Sequence, residues 1–277
     1  MAVVCLHDKG EIERFLRGNT FLHLYSIGDL DDFFWQYTTW YAQKEQQWIS
    51  QIALFYSAPA IPVLLGICEE PADTMRALLS SIMHLLPRRF YAHFSGDLAR
   101  VFADDYHIES HGLHYKMALV DKARLDTIDD ARVEPLTVAN MHELEALYNV
   151  SYPGNWFDPR MLETGCYYGI RQGTRDARGT QSSPLVSVAG IHVYSPRYRV
   201  AVLGNVTTHP DFRGRGLGTA ACAKLCKELL REIDHVGLNV KADNTSAIAC
   251  YKRLGFECIA TYEEDSLELK GIRQALF

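Results

Sequence analysis

Apolar positions along this chain recur at two spacings, and their alternation lays out two halves with the same order of elements. Over residues 74–86, Met75, Leu78, Leu79, Ile82, Met83 and Leu86 fall three or four apart, the period of one helix face. Weaker helical patterns cover 8–17 and 26–34. Runs rich in β-branched and aromatic residues predict strands at 48–56 and 61–67, joined by a proline-containing turn, and again at 90–94 and 115–120. Residues 122–130 are charged, lack an apolar face and read as a linker. The pattern then repeats. A strand at 133–136 leads to a helix opening at Thr137–Asn140, with Leu144, Leu147 and Tyr148 on its apolar side. Residues 167–171, 186–194 and 200–208 are strands of a meander, with a polar Gly/Ser-rich hairpin loop at 172–184. A helix over 219–233, a strand over 236–240 and a short helix between Asn244 and Gly255 complete the half.

Composition narrows the class without choosing the chemistry. The 277 residues exceed one typical domain, and 48% hydrophobic with 22% charged residues describes a folded chain rather than a disordered one. A net charge of -6 gives no footprint for nucleic acid or a membrane surface. No apolar run reaches the roughly 18 residues of a spanning helix, and the first residues lack the basic and apolar regions of a signal peptide. Seven cysteines, an odd number without a Cys-x-x-Cys pair, point to a reduced cytoplasmic setting. A monomer and a homodimer both fit this composition.

The densest chemistry lies between the strand at 200–208 and the following helix. Pro210 ends the strand, and Arg213-Gly214-Arg215-Gly216-Leu217-Gly218 runs into the helix start at Thr219. Strand, glycine-rich turn and helix N-terminus make an anion cradle: glycines let backbone amides approach a ligand, and the first helical N–H groups are unpaired. Two permanently charged arginines point to phosphate. A Walker loop is excluded because no lysine lies between Arg213 and Ala223. Gly216-Leu217-Gly218-Thr219-Ala220-Ala221 matches a Rossmann fingerprint, but too little chain follows for a βαβαβ domain.

Arg213-x-x-Gly216-x-Gly218 resembles the Arg/Gln-x-x-Gly-x-Gly/Ala signature of the GNAT superfamily, the acyl-CoA-dependent N-acyltransferases. A second stretch is similar to the family's Asn-x-x-Ala-x-x-x-Tyr-x-x-x-Gly-Phe motif, with Asn244, Ala247, Tyr251, Gly255 and Phe256 in the matching places. Asn244, Ile248 and Tyr251 share one helical face. The resemblance covers about residues 132–264. It implies an α+β fold with a mixed, mostly antiparallel central sheet flanked by helices, the acyl-CoA N-acyltransferase fold. It also implies acetyl-CoA or another acyl-CoA as co-substrate, no metal, and a primary amine of a small-molecule or peptide acceptor. Arg213, Gly214, Arg215, Gly216, Leu217, Gly218 and Thr219 would cradle the pyrophosphate. Val206, Thr207 and Thr208 would pair with the pantetheine arm, with Asn244 and Tyr251 completing the cofactor site. A backbone N–H near Val206 would polarise the thioester carbonyl, and Tyr251 would protonate the departing thiolate or simply pack at its helix end. No Glu or Asp lies between Leu185 and Pro210, so His192 and a water chain are the candidate bases. The aromatic loop 151–157 would hold the acceptor or plug the core beneath it. Retained cofactor residues without turnover, a CoA-binding sensor, is the non-enzymatic alternative.

The first half shares the element order, yet its strand enters its helix through Glu69-Glu70-Pro71, which would repel a phosphate. We expect two similar domains in tandem, a degenerate one at 1–121 that binds no CoA and a catalytic one at 131–277. His107, His111 and His114 match no standard metal spacing and read as surface or strand-end residues, while Cys222 and Cys226 read as core.

Overall fold

The computed structural model describes residues 2–155, 157–173 and 183–271. The elements follow in the order β1 (Ala2–Leu6), α1 (Lys9–Leu16), α2 (Leu24–Gly28), α3 (Asp32–Trp35), β2 (Thr38–Glu45), β3 (Trp48–Tyr56), β4 (Val63–Gly66), α4 (Asp73–Ile82), β5 (Arg89–Phe94) and β6 (Tyr106–Leu119). After these come β7 (Glu134–Pro135), α5 (Met141–Ser151), β8 (Tyr168–Arg171), β9 (Leu185–Ser195), β10 (Val200–Thr208), α6 (Leu217–Leu229), β11 (His235–Lys241), α7 (Thr245–Arg253) and β12 (Phe256–Leu269). Strand pairing is mostly antiparallel, with parallel pairs at β4–β5 and β10–β11. This is the mixed, mostly antiparallel sheet with flanking helices that the resemblance implied.

Two compact units divide the chain. The first contains the chain through Lys116, residues Val240–Asp243 and the chain from Cys258 onward. Its strands run β1-β2-β3-β4-β5-β12-β6. On one sheet face, α4 buries Met75, Leu78, Leu79 and Ile82 against Leu64, Phe90, Ala92 and Phe94. Phe102 completes this core, its ring 5.6 Å from Phe94 and 5.7 Å from Phe90. The helix expected over 26–34 is two helices. Asp31 ends the run by accepting from the Phe33 N–H and so caps a new start, a competition that periodicity does not register. β2, whose Thr, Gln and Lys mask its alternation, forms because β3 and β1 flank it.

The second unit, Met117–Asn239 with Asn244–Glu257, runs β11-β10-β9-β8-β7. α6 turns Cys222, Leu225, Cys226 and Leu229 into the interior at i, i+3, i+4 and i+7, which places both cysteines in core packing. Residues 122–130 are ordered within this unit: Arg124 donates to the Lys252 carbonyl, and Lys227 pairs with Asp130 at 3.0 Å. Most of the expected hairpin loop at 172–184, and Trp156, lie outside the described residues.

Near the start of this unit, Arg171 is buried between two carboxylates, Glu134 at 2.7 Å and Glu143, which it grips with both terminal nitrogens. Glu143 sits on α5 and Glu134 on β7, so one guanidinium ties helix to sheet edge. Arg171→Ala would leave two facing carboxylates uncompensated. Its expected cost is the lower part of the roughly 3–5 kcal/mol typical of a broken buried pair, since Glu143 is half-exposed. Denaturant unfolding checks this, and a loss below about 1 kcal/mol would show that the triad is solvated and slack.

Candidate active site

β10 is the backbone of the site. On one side it pairs with β9 along its length, to Thr208 opposite Ser187. On the other side its parallel pairing with β11 stops at Leu203 opposite Leu238. Gly204 to Thr208 therefore have no strand partner on that side among the described residues, and those of their backbone groups that no side chain engages form an edge an extended ligand can pair with.

Where this edge begins, β10 is distorted. Gly204 opposes Gly190 but Thr207 opposes Val188, so one extra residue is accommodated on β10. Asn205 takes it up with φ +55°, a left-handed conformation that asparagine tolerates better than other non-glycine residues. Three groups fix the bulge. The Tyr148 hydroxyl donates to the Asn205 carbonyl at 2.9 Å, the Asn205 Nδ2 donates to the Tyr167 hydroxyl at 2.8 Å, and Tyr167 donates to the Ile191 carbonyl at 3.2 Å. Asn205 is buried, and its Oδ1 has no hydrogen-bond partner among the described residues. Sequence reasoning missed Asn205 and saw Tyr148 only as apolar packing. The available signal was an asparagine inside an otherwise β-branched strand.

The loop after β10 has the form of a cradle. Arg213 donates from Nε to the Thr208 carbonyl at 3.2 Å and from Nη2 to the Ser151 carbonyl at 3.1 Å, stapling the loop to β10 and α5. Arg215 donates to the Asp211 carbonyl at 2.9 Å and lies 4.9 Å from the Phe212 ring centre. Gly214 and Gly216 have φ +75° and +76°, and a Cβ built on either would meet nothing within 4 Å. Both glycines are thus required by backbone conformation, and both face open space. Gly216 is the N-cap of α6 with no side chain capping it, so the first-turn N–H groups at Leu217, Gly218 and Thr219 have no side-chain acceptor. A diphosphate suits this set of donors, permanent cations and open space.

The remaining predicted residues lie on β9, β10 and α7 or its cap. Thr207 Oγ1 donates to Ser151 Oγ at 3.1 Å, and Thr208 Oγ1 lies 2.8 Å from Ser187 Oγ. Asn244 caps α7 by accepting from the Ala247 N–H at 3.2 Å, a local structural duty. Tyr251 is buried on α7 with its ring 5.9 Å from Phe256; its hydroxyl hydrogen-bonds to no described residue, and burial pushes its pKa well above the ordinary range. The phenol therefore holds its proton at neutral pH, and the same burial makes it a weaker acid than an exposed tyrosine. His192 lies on β9 so close to Gly204 that a Cβ there would overlap its ring, and burial lowers its pKa to about 4. It is neutral at pH 7 but only weakly basic. Phe157, from the aromatic loop, packs 5.4 Å from Tyr148 and 5.8 Å from Tyr167. His107, His111 and His114 fall on β6, and no cluster of metal-ligating side chains occurs among the described residues.

The first unit differs at the corresponding turn. Between β4 and α4, the Glu70 carboxylate accepts from the Ala72 N–H at 3.1 Å, and Glu69 accepts from Asn19 at 2.8 Å. An acidic side chain occupies the helix start that in the second unit is left to glycines.

Comparison with known proteins bears on the second unit first. Residues 139–256 match the family model described as "Acetyltransferase (GNAT) family". A Sodalis glossinidius acetyltransferase is 38% identical over 66 residues, 24% of this chain and 43% of that protein. An uncharacterised N-acetyltransferase of Methanocaldococcus jannaschii is 48% identical over 61 residues, 21% of this chain and 26% of its own length. The chain thus spans less than half of these curated relatives. Among solved structures, a Drosophila protein superposes with a TM-score of 0.69 at 12% identity, covering 96% of this chain and 98% of its own. A tandem GNAT protein from the clavulanic acid biosynthesis pathway superposes at 0.54 with 15% identity, over the same shares of the two chains. Likeness at these identities is of fold.

Proposed function

We propose that this chain, whose residues 139–256 match the GNAT family model, transfers an acetyl or other acyl group from acyl-CoA to a primary amine of a small-molecule or peptide acceptor. The observation that carries this reading is the combination of a free β10 edge at Gly204–Thr208 with an uncapped, glycine-built α6 N-terminus directly after it. The two are spaced by one loop, so a single ligand with an amide-bearing arm and a diphosphate can engage both.

Bound acyl-CoA would supply an acyl group activated as a thioester. Val206, Thr207 and Thr208 offer backbone groups to the amides of the arm. Arg213, Gly214, Arg215, Gly216, Leu217, Gly218 and Thr219 offer charge and N–H groups to the diphosphate. In this reading the Val206 N–H, next to the Asn205 bulge, donates to a carbonyl oxygen as negative charge develops on it. Tyr251 keeps its proton and delivers it to the departing sulfur. No carboxylate is available on β9 or β10 to deprotonate the amine. With His192 lowered to about 4, water or an acceptor arriving as free amine accounts better for that proton than the imidazole does. In this reading the amine attacks the thioester directly within a ternary complex. We read residues 1–121 as a GNAT-like domain without cofactor contact, supported by Glu70 at the start of α4, and 131–277 as the catalytic domain.

The test is a calorimetric titration with CoA and NAD, followed by an acyl-CoA turnover screen against amines, amino acids and polyamines with free thiol as readout. One CoA per chain and thiol release with some acceptor are expected. NAD binding without CoA binding would sink the proposal. CoA binding with no turnover on any acceptor would favour a sensor.

A further inference from the structure

Three thiols lie together in the second unit where α6 meets α7, beside the cradle and outside it. Cys222 and Cys226 are buried on α6, whereas Cys250, on α7, is half-buried. The Cys250 Sγ lies 3.2 Å from Thr219 Oγ1, in the first turn of α6. Cys222 follows Thr219 at i+3, and helical side chains lean towards the N-terminus, so its thiol reaches the same spot. Cys222 and Cys250 accordingly hydrogen-bond to each other. Cys226, a further turn along α6, feels Cys250 only through charge.

The two bonded thiols are not equivalent. Hydrogen bonds from Cys222 and Thr219, with the Arg253 charge nearby, hold the Cys250 thiol below the ordinary cysteine value against the opposing effect of burial. The same bond to Cys250 and complete burial push Cys222 up, so it keeps its proton. The thiolate is the form that reacts with oxidants, and Cys250 is the member of the pair that solvent reaches. Cys222, protonated and covered, can act only second. A reachable thiol with a second thiol in contact is the arrangement that reversible oxidation needs.

We propose that Cys250 is a site of reversible oxidation by hydroperoxides, with Cys222 as its resolving thiol. The Cys250 thiolate attacks the terminal peroxide oxygen and the O–O bond breaks. Sulfur keeps that oxygen as a sulfenic acid, and the departing hydroxide or alkoxide takes up a proton as water or alcohol. Cys222 then gives up its proton, attacks the Cys250 sulfur and displaces hydroxide, which leaves with the proton as water. The pair of electrons lost by the thiols is the pair the peroxide gains. The new disulfide consumes the thiol beside Thr219 and ties α6 to α7 at the turn whose N–H groups belong to the cradle. Its expected effect on acyl-CoA binding, a loss of about 10-fold, rests on the acyl-transfer reading, whereas formation of the bond does not.

The full chain, fully reduced, is treated with hydrogen peroxide, blocked with iodoacetamide and read by intact mass and peptide mapping. A Cys222–Cys250 cross-link is expected, at least about 10-fold faster than oxidation of the exposed Cys5 and Cys258, and reversed by dithiothreitol. Cys222→Ala, which keeps a small apolar side chain, should stop at a Cys250 sulfenic acid that a 1,3-dione traps. Cys250→Ser should leave Cys222 unmodified. Calorimetry with CoA before and after oxidation reads the coupling to the cradle. Oxidation confined to Cys5 and Cys258, or a Cys250 sulfenic acid that gives no cross-link in the parent, overturns the proposal. Unchanged CoA affinity in the cross-linked protein overturns the coupling. Should Cys222→Ala misfold, cross-link mapping on the parent decides. Reduced protein that binds no CoA would count against the acyl-transfer reading and leave the cross-link result standing.

Discussion

Gly216→Val is expected to weaken CoA binding at least about 100-fold, some 2.7 kcal/mol, while the protein stays folded. Two effects act together. Position 216 has φ +76°, which costs an L-residue about 1–2 kcal/mol and a β-branched one more, so the turn would relax away from its cradle shape. In addition, the space in front of Gly216 is empty of protein atoms within 4 Å, so the valine side chain would project where the diphosphate is to meet the α6 amides. Adding Arg213→Ala removes the staple to Thr208 and Ser151 and should complete the loss. Calorimetry with CoA, with circular dichroism to verify folding, reads the effect. Affinity within a few-fold of the parent would mean that the diphosphate is held elsewhere.

Tyr251→Phe is expected to lower kcat by about 10- to 1000-fold and leave CoA affinity within a few-fold. Its hydroxyl bonds to no described residue, so deletion should leave the melting temperature in place, which separates a chemical role from a packing one. Burial holds the phenol's pKa above its ordinary value, so the acid form persists as pH rises and turnover should not fall through this group in the mildly alkaline range. An unchanged kcat would make Tyr251 a packing residue against Phe256 and leave water to protonate the thiolate.

The cradle, the cap of α7 and the strand leading to the loop were legible in the sequence because each is a local choice. Gly214 and Gly216 are demanded by positive φ, Asn244 by the need for an acceptor at a helix start, and residues 200–208 by β-branched composition. None of these depends on a distant partner. The Asn205 bulge could not be read in the same way, because its cause lies in Tyr148 and Tyr167, 57 and 38 residues away, which hold an otherwise unfavourable conformation. The same holds for β2, a strand by virtue of β1 and β3 beside it. It holds most clearly for the cluster around Glu264, whose closest contact is to Tyr91 across 173 residues of chain. Local composition determined where an anion could be cradled. Only tertiary packing, by bringing distant polar groups onto one sheet face and burying them there, decided which partners the Glu264 carboxylate and the Lys116 ammonium meet.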